Sequence, residues 1–122
     1  MIDFKNLLIW QKSHQLTLNI YSITTEFPSF EKYGLTNQMR RSASSIPANI
    51  SEGCGRNSDK ELKRFLSIAM GSAAELEYQI LLAKDLMYIS DEVYEDLTLL
   101  IIEIRKMINS FIEKLNFRIT NN

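Results

Sequence analysis

The sequence predicts an all-α protein, an antiparallel up-down-up-down four-helix bundle. Apolar residues recur at threes and fours over long stretches. No stretch alternates with the period of two that a strand needs, and no internal repeat interrupts the pattern. Two prolines and four glycines in 122 residues leave room for long helices. Short links between amphipathic helices favour antiparallel neighbours, and the chain reads as one domain over residues 1–122.

The first helix is expected over about 5–26, with Ile9, Leu16, Ile20, Ile23 and Phe27 on one face. Pro28 disfavours helix at Phe27 and ends it. The second helix, about 35–53, follows Gly34. Leu35, Met39, Ser42, Ala43, Ile46 and Ile50 gather on its core face, and Pro47 removes one of its hydrogen bonds, which should bend it near Ala43. Gly53 or Gly55 suits a left-handed cap at its end.

The third helix, about 59–86, has the clearest start: Ser58 followed by Glu61 fits a capping box. Leu62, Leu66, Ala69, Ala73, Leu76, Ile80, Ala83 and Met87 then form a heptad stripe. Ser90 caps the fourth helix, about 91–116, with Asp91 and Glu92 in its positive first turn. Its expected stripe is Val93, Leu97, Leu100, Ile104, Met107 and Phe111, and "RITNN" reads as a frayed tail.

Two helices carry more apolar surface than one bundle uses. Leu99, Leu100, Ile101 and Ile102 are consecutive and point all round the fourth helix, while Ile68, Leu82 and Leu86 lie away from the third helix's stripe. Ile68, Leu82, Leu86, Leu99, Ile101 and Ile102 are therefore the expected oligomer interface.

Apolar residues make up 45% of the chain and charged residues 24%, a globular balance. The only cysteine, Cys54, excludes an intramolecular disulfide, and one Cys with one His (His14) cannot close a zinc site within one chain. The start lacks the basic and apolar regions of a signal peptide, and no apolar run reaches a membrane span, so an intracellular, soluble protein is expected. The net charge of −1 is unevenly spread. Residues 34–66 hold six cations and three acids, residues 67–103 hold Lys84 against eight acids, and residues 104–122 hold four cations against Glu113.

The stretch "GLTNQMRRSASSIPANISEGCGR" raises the question of a site. At about 100° per residue, Arg40 falls on the flank of the second helix's core face and Arg41 nearly opposite that face. Arg40 is expected to form a structural ion pair with Glu77. Arg41, with Arg56, Lys60, Lys63 and Arg64, is the candidate nucleic-acid-binding set; the bland alternative is a solvated helix start paired with Asp59 and Glu61. The small residues Ser42 to Ser45 match Ala69, Gly71, Ser72, Ala73 and Ala74 and let two helices approach closely. "GCG" follows a helix and lacks the Lys-Ser/Thr of a phosphate loop. Glu75 and Glu77 point in different directions, Cys54 has no histidine nearby in sequence, and no Glu-x-x-His motif is present. No enzyme, catalytic residue, metal site or cofactor is read.

The pieces "IWQKSHQL", "FPSFEKYGLTNQMRRSASSIPANISEGCGRNS" and "KELKRFLSIAMGSAAELEYQILLAKDLMYIS", with the apolar last helix, resemble the 23S rRNA intervening-sequence protein family over about residues 4 to 115. The resemblance implies a bacterial, cytoplasmic four-helix bundle assembling as a homopentameric ring. It is also similar to the accessory protein of diversity-generating retroelements, which implies association with nucleic acid and a reverse transcriptase. Those retroelement relatives are strongly basic, whereas this chain has a pI near 5.8. The expected function is a non-enzymatic, self-assembling, RNA-associated accessory or adaptor protein. The alternative is a structural oligomerisation module that binds a protein partner without nucleic acid. Salt-dependent RNA binding separates the two.

Overall fold

The structure, a computed structural model, describes residues 2–121. Four long helices carry it: α1 (Leu8–Thr24), α2 (Leu35–Cys54), α3 (Asp59–Asp85) and α4 (Asp91–Asn121). Short 3-10 turns at Phe4–Asn6 and Ser29–Glu31 precede α1 and α2. No strand occurs among the described residues.

Neighbouring helices meet with their residues in opposite order. On α1 and α2, Thr17 reaches Ala43 and Thr24 reaches Arg40. On α2 and α3, Ser45 bonds Ser72 at 2.8 Å, and Gly53 lies beside Leu62 and Phe65. On α3 and α4, Glu77 holds Arg105 and Asp59 holds Arg118. On α1 and α4, Lys12 pairs with Glu103 at 2.8 Å.

The core is the heptad seam of α3 packed into the faces of the other helices. Leu66, Ala69, Ala73, Leu76, Ile80 and Ala83 are fully buried, as are Met39, Ala43, Ile46 and Ile50 of α2. Each fully buried Leu or Ile contributes about 1.5–3 kcal/mol relative to exposure, so the seam outweighs any single polar contact described below. Gly53 has no room for a side chain: a Cβ there would stand 2.9 Å from Leu62 Cδ1 and 3.0 Å from Phe65 Cβ. Cys54, the last residue of α2, is buried in the same core, and burial pushes its thiol pKa up.

Several expectations need correction. The deep seam of α4 is Leu97, Ile101, Ile104, Ile108 and Leu115. Val93, Leu100, Met107 and Phe111 are only half-buried, because α4 packs between α3 and α1 and its burial centre falls between the two contacts. Ile101 is therefore a core residue, fully buried, and not part of an exposed interface. The tail does not fray at 116. Leu115 is fully buried, Arg118 pairs with Asp59 at 2.9 Å, and α4 continues to Asn121.

Neither Gly53 nor Gly55 adopts a left-handed backbone. That conformation belongs to Met87 (φ 64°), which ends α3 and is not part of its buried stripe. There the Tyr88 N–H donates to the Ala83 carbonyl and the Met87 N–H to Lys84, both at 2.9 Å, the two bonds of a Schellman cap. Ser58 Oγ accepts the Glu61 N–H at 3.1 Å, but the Glu61 carboxylate turns to Arg64, so the capping box is half formed. Ser90 Oγ caps α4 by accepting the Val93 N–H at 3.1 Å. α2 has no side chain at its cap, Gly34. Glu31 serves instead: one carboxylate oxygen accepts the Leu35 N–H at 3.1 Å and the other the Tyr88 hydroxyl at 2.8 Å.

Candidate nucleic-acid interface

The two neighbouring arginines of α2 have separate settings. Arg40 donates from Nε to Thr24 Oγ1 at 2.8 Å and from Nη2 to the Tyr21 carbonyl at 3.3 Å. Its guanidinium lies 4.8 Å from the centre of the Tyr21 ring. Arg40 thus braces α2 against α1, and the expected pair with Glu77 is not formed. Glu77 stands on the side of α3 that faces α4, where Arg105 Nη1 reaches it at 2.7 Å.

Arg41 is exposed and lines a cleft of about 570 Å³ between α2 and α3, with Gln38, Ser42, Ser45, Ser72 and Glu75. Three of its six lining residues, Ser42, Ser45 and Ser72, are serines, whose short side chains leave this space open. Glu75 in the same cleft offsets the arginine's charge.

The other four candidates lie at the opposite end of α2. Arg41 and Cys54 are roughly 20 Å apart along the helix, at 1.5 Å per residue, so Arg41 does not join them. Phe65 of α3 lies between two arginines: Arg56 at 5.0 Å and Arg64 at 4.4 Å from its ring centre. Each is also held by an acid of its own segment, Arg56 by Glu52 at 2.8 Å and Arg64 by Glu61 at 3.0 Å. The Arg64 hydrogen bond holds the Glu61 carboxyl below its ordinary pKa and pushes the Arg64 guanidinium above its own. Lys60 and Lys63 form no ion pair among the described residues. With Arg64, Ser67 and Ile119 they line a groove of about 410 Å³ between the start of α3 and the end of α4.

The fold sorts charge by end. One end collects the start of α1, the end of α2, the start of α3 and the end of α4, joined by Arg118–Asp59 and by a groove that Leu7, Leu8 and Ile9 line together with Phe111 and Lys114. This end (residues 2–12, 52–67 and 105–121) holds ten cations and five acids. The remainder holds four cations and ten acids. Lys12–Glu103 and Arg105–Glu77 straddle the boundary. Such a separation gives one end a positive potential that a neutral total conceals. Arg105, Lys106, Lys114 and Arg118 join the positive end and were not among the expected residues. Their signal was the basic excess of residues 104–122, but only the fold brings it beside the start of α3.

Of the expected interface residues, Ile68, Leu86 and Leu99 are exposed, at 42%, 44% and 69%, and Leu82 and Ile102 are half-buried. Tyr78 and Leu81, exposed on α3, extend the apolar surface. Elsewhere Trp10 stacks on His14 at 4.9 Å. Among the described residues, no three of His, Cys, Asp or Glu are grouped to hold a metal ion, and no helix is long and apolar enough to cross a membrane.

A family model described as 23S rRNA-intervening sequence protein matches residues 5–110. Among solved structures, the chain is similar to a Bacteroides thetaiotaomicron protein with unknown function from the S23 ribosomal protein family. The two share 29% identity and a TM-score of 0.80, over 87% of this chain and 96% of the other. No curated protein matches the chain.

Proposed function

The chain belongs to the 23S rRNA-intervening sequence protein family, and from that premise we propose that it is a non-enzymatic, self-assembling, up-down-up-down helical bundle that associates with RNA through its basic end. The observation that carries this is the sorting of charge: ten cations and five acids at one end of a chain whose net charge is −1. An RNA backbone is attracted to such an end and repelled by the other. Lys60 and Lys63 form no ion pair among the described residues, so they neutralise phosphates without first breaking one.

Self-association rests on the apolar side chains left in solvent, chiefly Tyr78, Leu81, Leu86 and Leu99. A homopentameric ring, in a bacterial cytoplasm, is the assembly we propose; it would multiply the basic end through multivalency. The likeness to retroelement accessory proteins belongs to the same proposal.

The test is fluorescence anisotropy of a labelled RNA over a salt series, with light scattering on the same sample. RNA association predicts affinity that falls linearly with salt on logarithmic axes. Salt-independent binding, or none, by the assembled protein would leave a structural module that binds protein alone. Leu99→Asp should lower the mass by light scattering while helicity is retained. A wild-type monomer at micromolar concentration would overturn the assembly.

A further inference from the structure

Resting on that reading, we propose that the ligand of the basic end is single-stranded RNA, laid along the groove between α3 and α4, with its phosphates on Lys60, Lys63 and Lys106. The groove has two adjoining stretches. The first is the one lined by Lys60, Lys63, Arg64, Ser67 and Ile119. The second, of about 450 Å³, is lined by Met70, Ile102, Arg105, Lys106 and Asn109. Ser67 and Met70 are one turn apart on α3, so the two stretches follow one another along that helix. From Ile102 to Ile119 the α4 wall extends roughly 26 Å at 1.5 Å per residue.

The ten lining residues include five cations and no acid. In a chain with more acids than cations, that is the reverse of the average surface. By contrast, the groove between α1 and α4 at the other end is lined by Asp96 and no cation. Within the strip, Arg64 and Arg105 are held by Glu61 and Glu77, which leaves Lys60, Lys63 and Lys106 to meet phosphates. The Nε of Arg105 is buried with no acceptor in reach, a donor the protein itself leaves unsatisfied. Glu113 stands beside this wall and accepts from Asn109 at 3.3 Å.

The floor argues for a single strand. A duplex keeps its base faces stacked and offers a protein phosphates and 2′-hydroxyls. Met70, Ile102 and Ile119 are apolar and half-buried, and they suit the flat faces of unstacked bases. Ser67 and Asn109 can bond base edges or 2′-hydroxyls. Two packed helices stand only about 8–10 Å apart, so their groove admits one strand more readily than two. Arg41 has no part in this path, since its cleft opens between α2 and α3 beside Glu75.

The experiment titrates the assembled wild-type protein into short labelled oligouridylate, a duplex RNA of equal length and a polyglutamate peptide. Single-strand binding should be the tightest of the three. Lys63→Gln with Lys106→Gln should weaken it and make the log–log salt slope shallower by about 1.4, at about 0.7 per phosphate. Glu113→Gln should tighten binding, and Arg41→Gln should leave it unchanged. Equal or tighter duplex binding, or loss in Arg41→Gln but not in the lysine variant, would overturn the groove while leaving RNA association standing. Tightest binding to polyglutamate would make this an acidic-peptide groove and overturn the inference. Failure of the wild type to bind any RNA would overturn both. Helicity by circular dichroism confirms that each variant remains folded.

Discussion

The Thr17 hydroxyl lies 3.0 Å from the Ala43 carbonyl, the one that Pro47 deprives of its donor within α2. In an uninterrupted helix the N–H of residue 47 would bond that carbonyl. Proline has none. Thr17 comes from α1 to supply the missing proton, sharing it with its own Ser13 carbonyl at 2.9 Å. α2 runs unbroken through Pro47 from Leu35 to Cys54. A defect written into one helix is thus repaired by its neighbour, and the repair fixes how the two sit together.

The first prediction is a coupling. Thr17→Val should destabilise the protein by about 1–3 kcal/mol, because a buried carbonyl loses its partner. In a Pro47→Ala background an N–H returns to Ala43, and the same Thr17→Val should cost clearly less. Urea denaturation of the four proteins measures the interaction energy. Strict additivity would show that the hydroxyl serves only its own helix.

A second prediction concerns Met87. Its left-handed backbone is unfavourable for any side chain with a Cβ, and its own side chain is 87% exposed and packs on little. Met87→Gly should stabilise the fold by about 0.5–1 kcal/mol, the relief of strain exceeding the added freedom of the unfolded chain. Thermal melting of the variant checks it.

Two glycines should respond oppositely to the same change. Gly53→Ala forces a methyl against Leu62 and Phe65 and should destabilise by about 1–3 kcal/mol. Gly71 lies inside α3, and a Cβ added there would meet nothing within 4 Å, so Gly71→Ala should stabilise by about 0.5–1 kcal/mol. A loss at Gly71, with a fall in assembled mass, would mean that another copy packs closely there.

Stability should depend on pH at both extremes. The Glu31 carboxylate holds the Tyr88 hydroxyl in its protonated form, so the folded pKa lies above the ordinary value. That contribution is fully present below about pH 10, the ordinary tyrosine pKa, and is lost as pH rises through the folded value. Glu61, held low by Arg64, behaves in the opposite sense: its contribution is present above the ordinary glutamate pKa and is lost as pH falls through its folded value. Tyr88→Phe should flatten the alkaline limb of the stability profile and Glu61→Gln the acid limb, each leaving the other unchanged. Melting temperature across pH reads both.

Much of the fold is legible in the sequence because helix periodicity is a local property. It assigns six of the ten buried residues of α2, separates Arg40 from Arg41, and marks Ser58 and Ser90 as caps. What it leaves open depends on which helix stands beside which. Arg40 lies on the flank of the core face, but only the packing of α1 gives it Thr24 and Tyr21 in place of Glu77. In the run Leu99 to Ile102, two-sided packing of α4 decides that Ile101 goes inside. The candidate groove divides in the same way. Lys60, Lys63 and Arg64 share one helix face by spacing, whereas Lys106 joins them through a contact between distant segments.

The placement of Cys54 makes the chain its own reporter. The thiolate is the reactive form of cysteine, and this thiol is 2% exposed with its pKa raised by burial. An alkylating reagent must therefore wait until the end of α2 lifts from α3. The rate of labelling at a single atom then counts those openings, and oxidation in air is limited by the same motion rather than by the chemistry of sulfur.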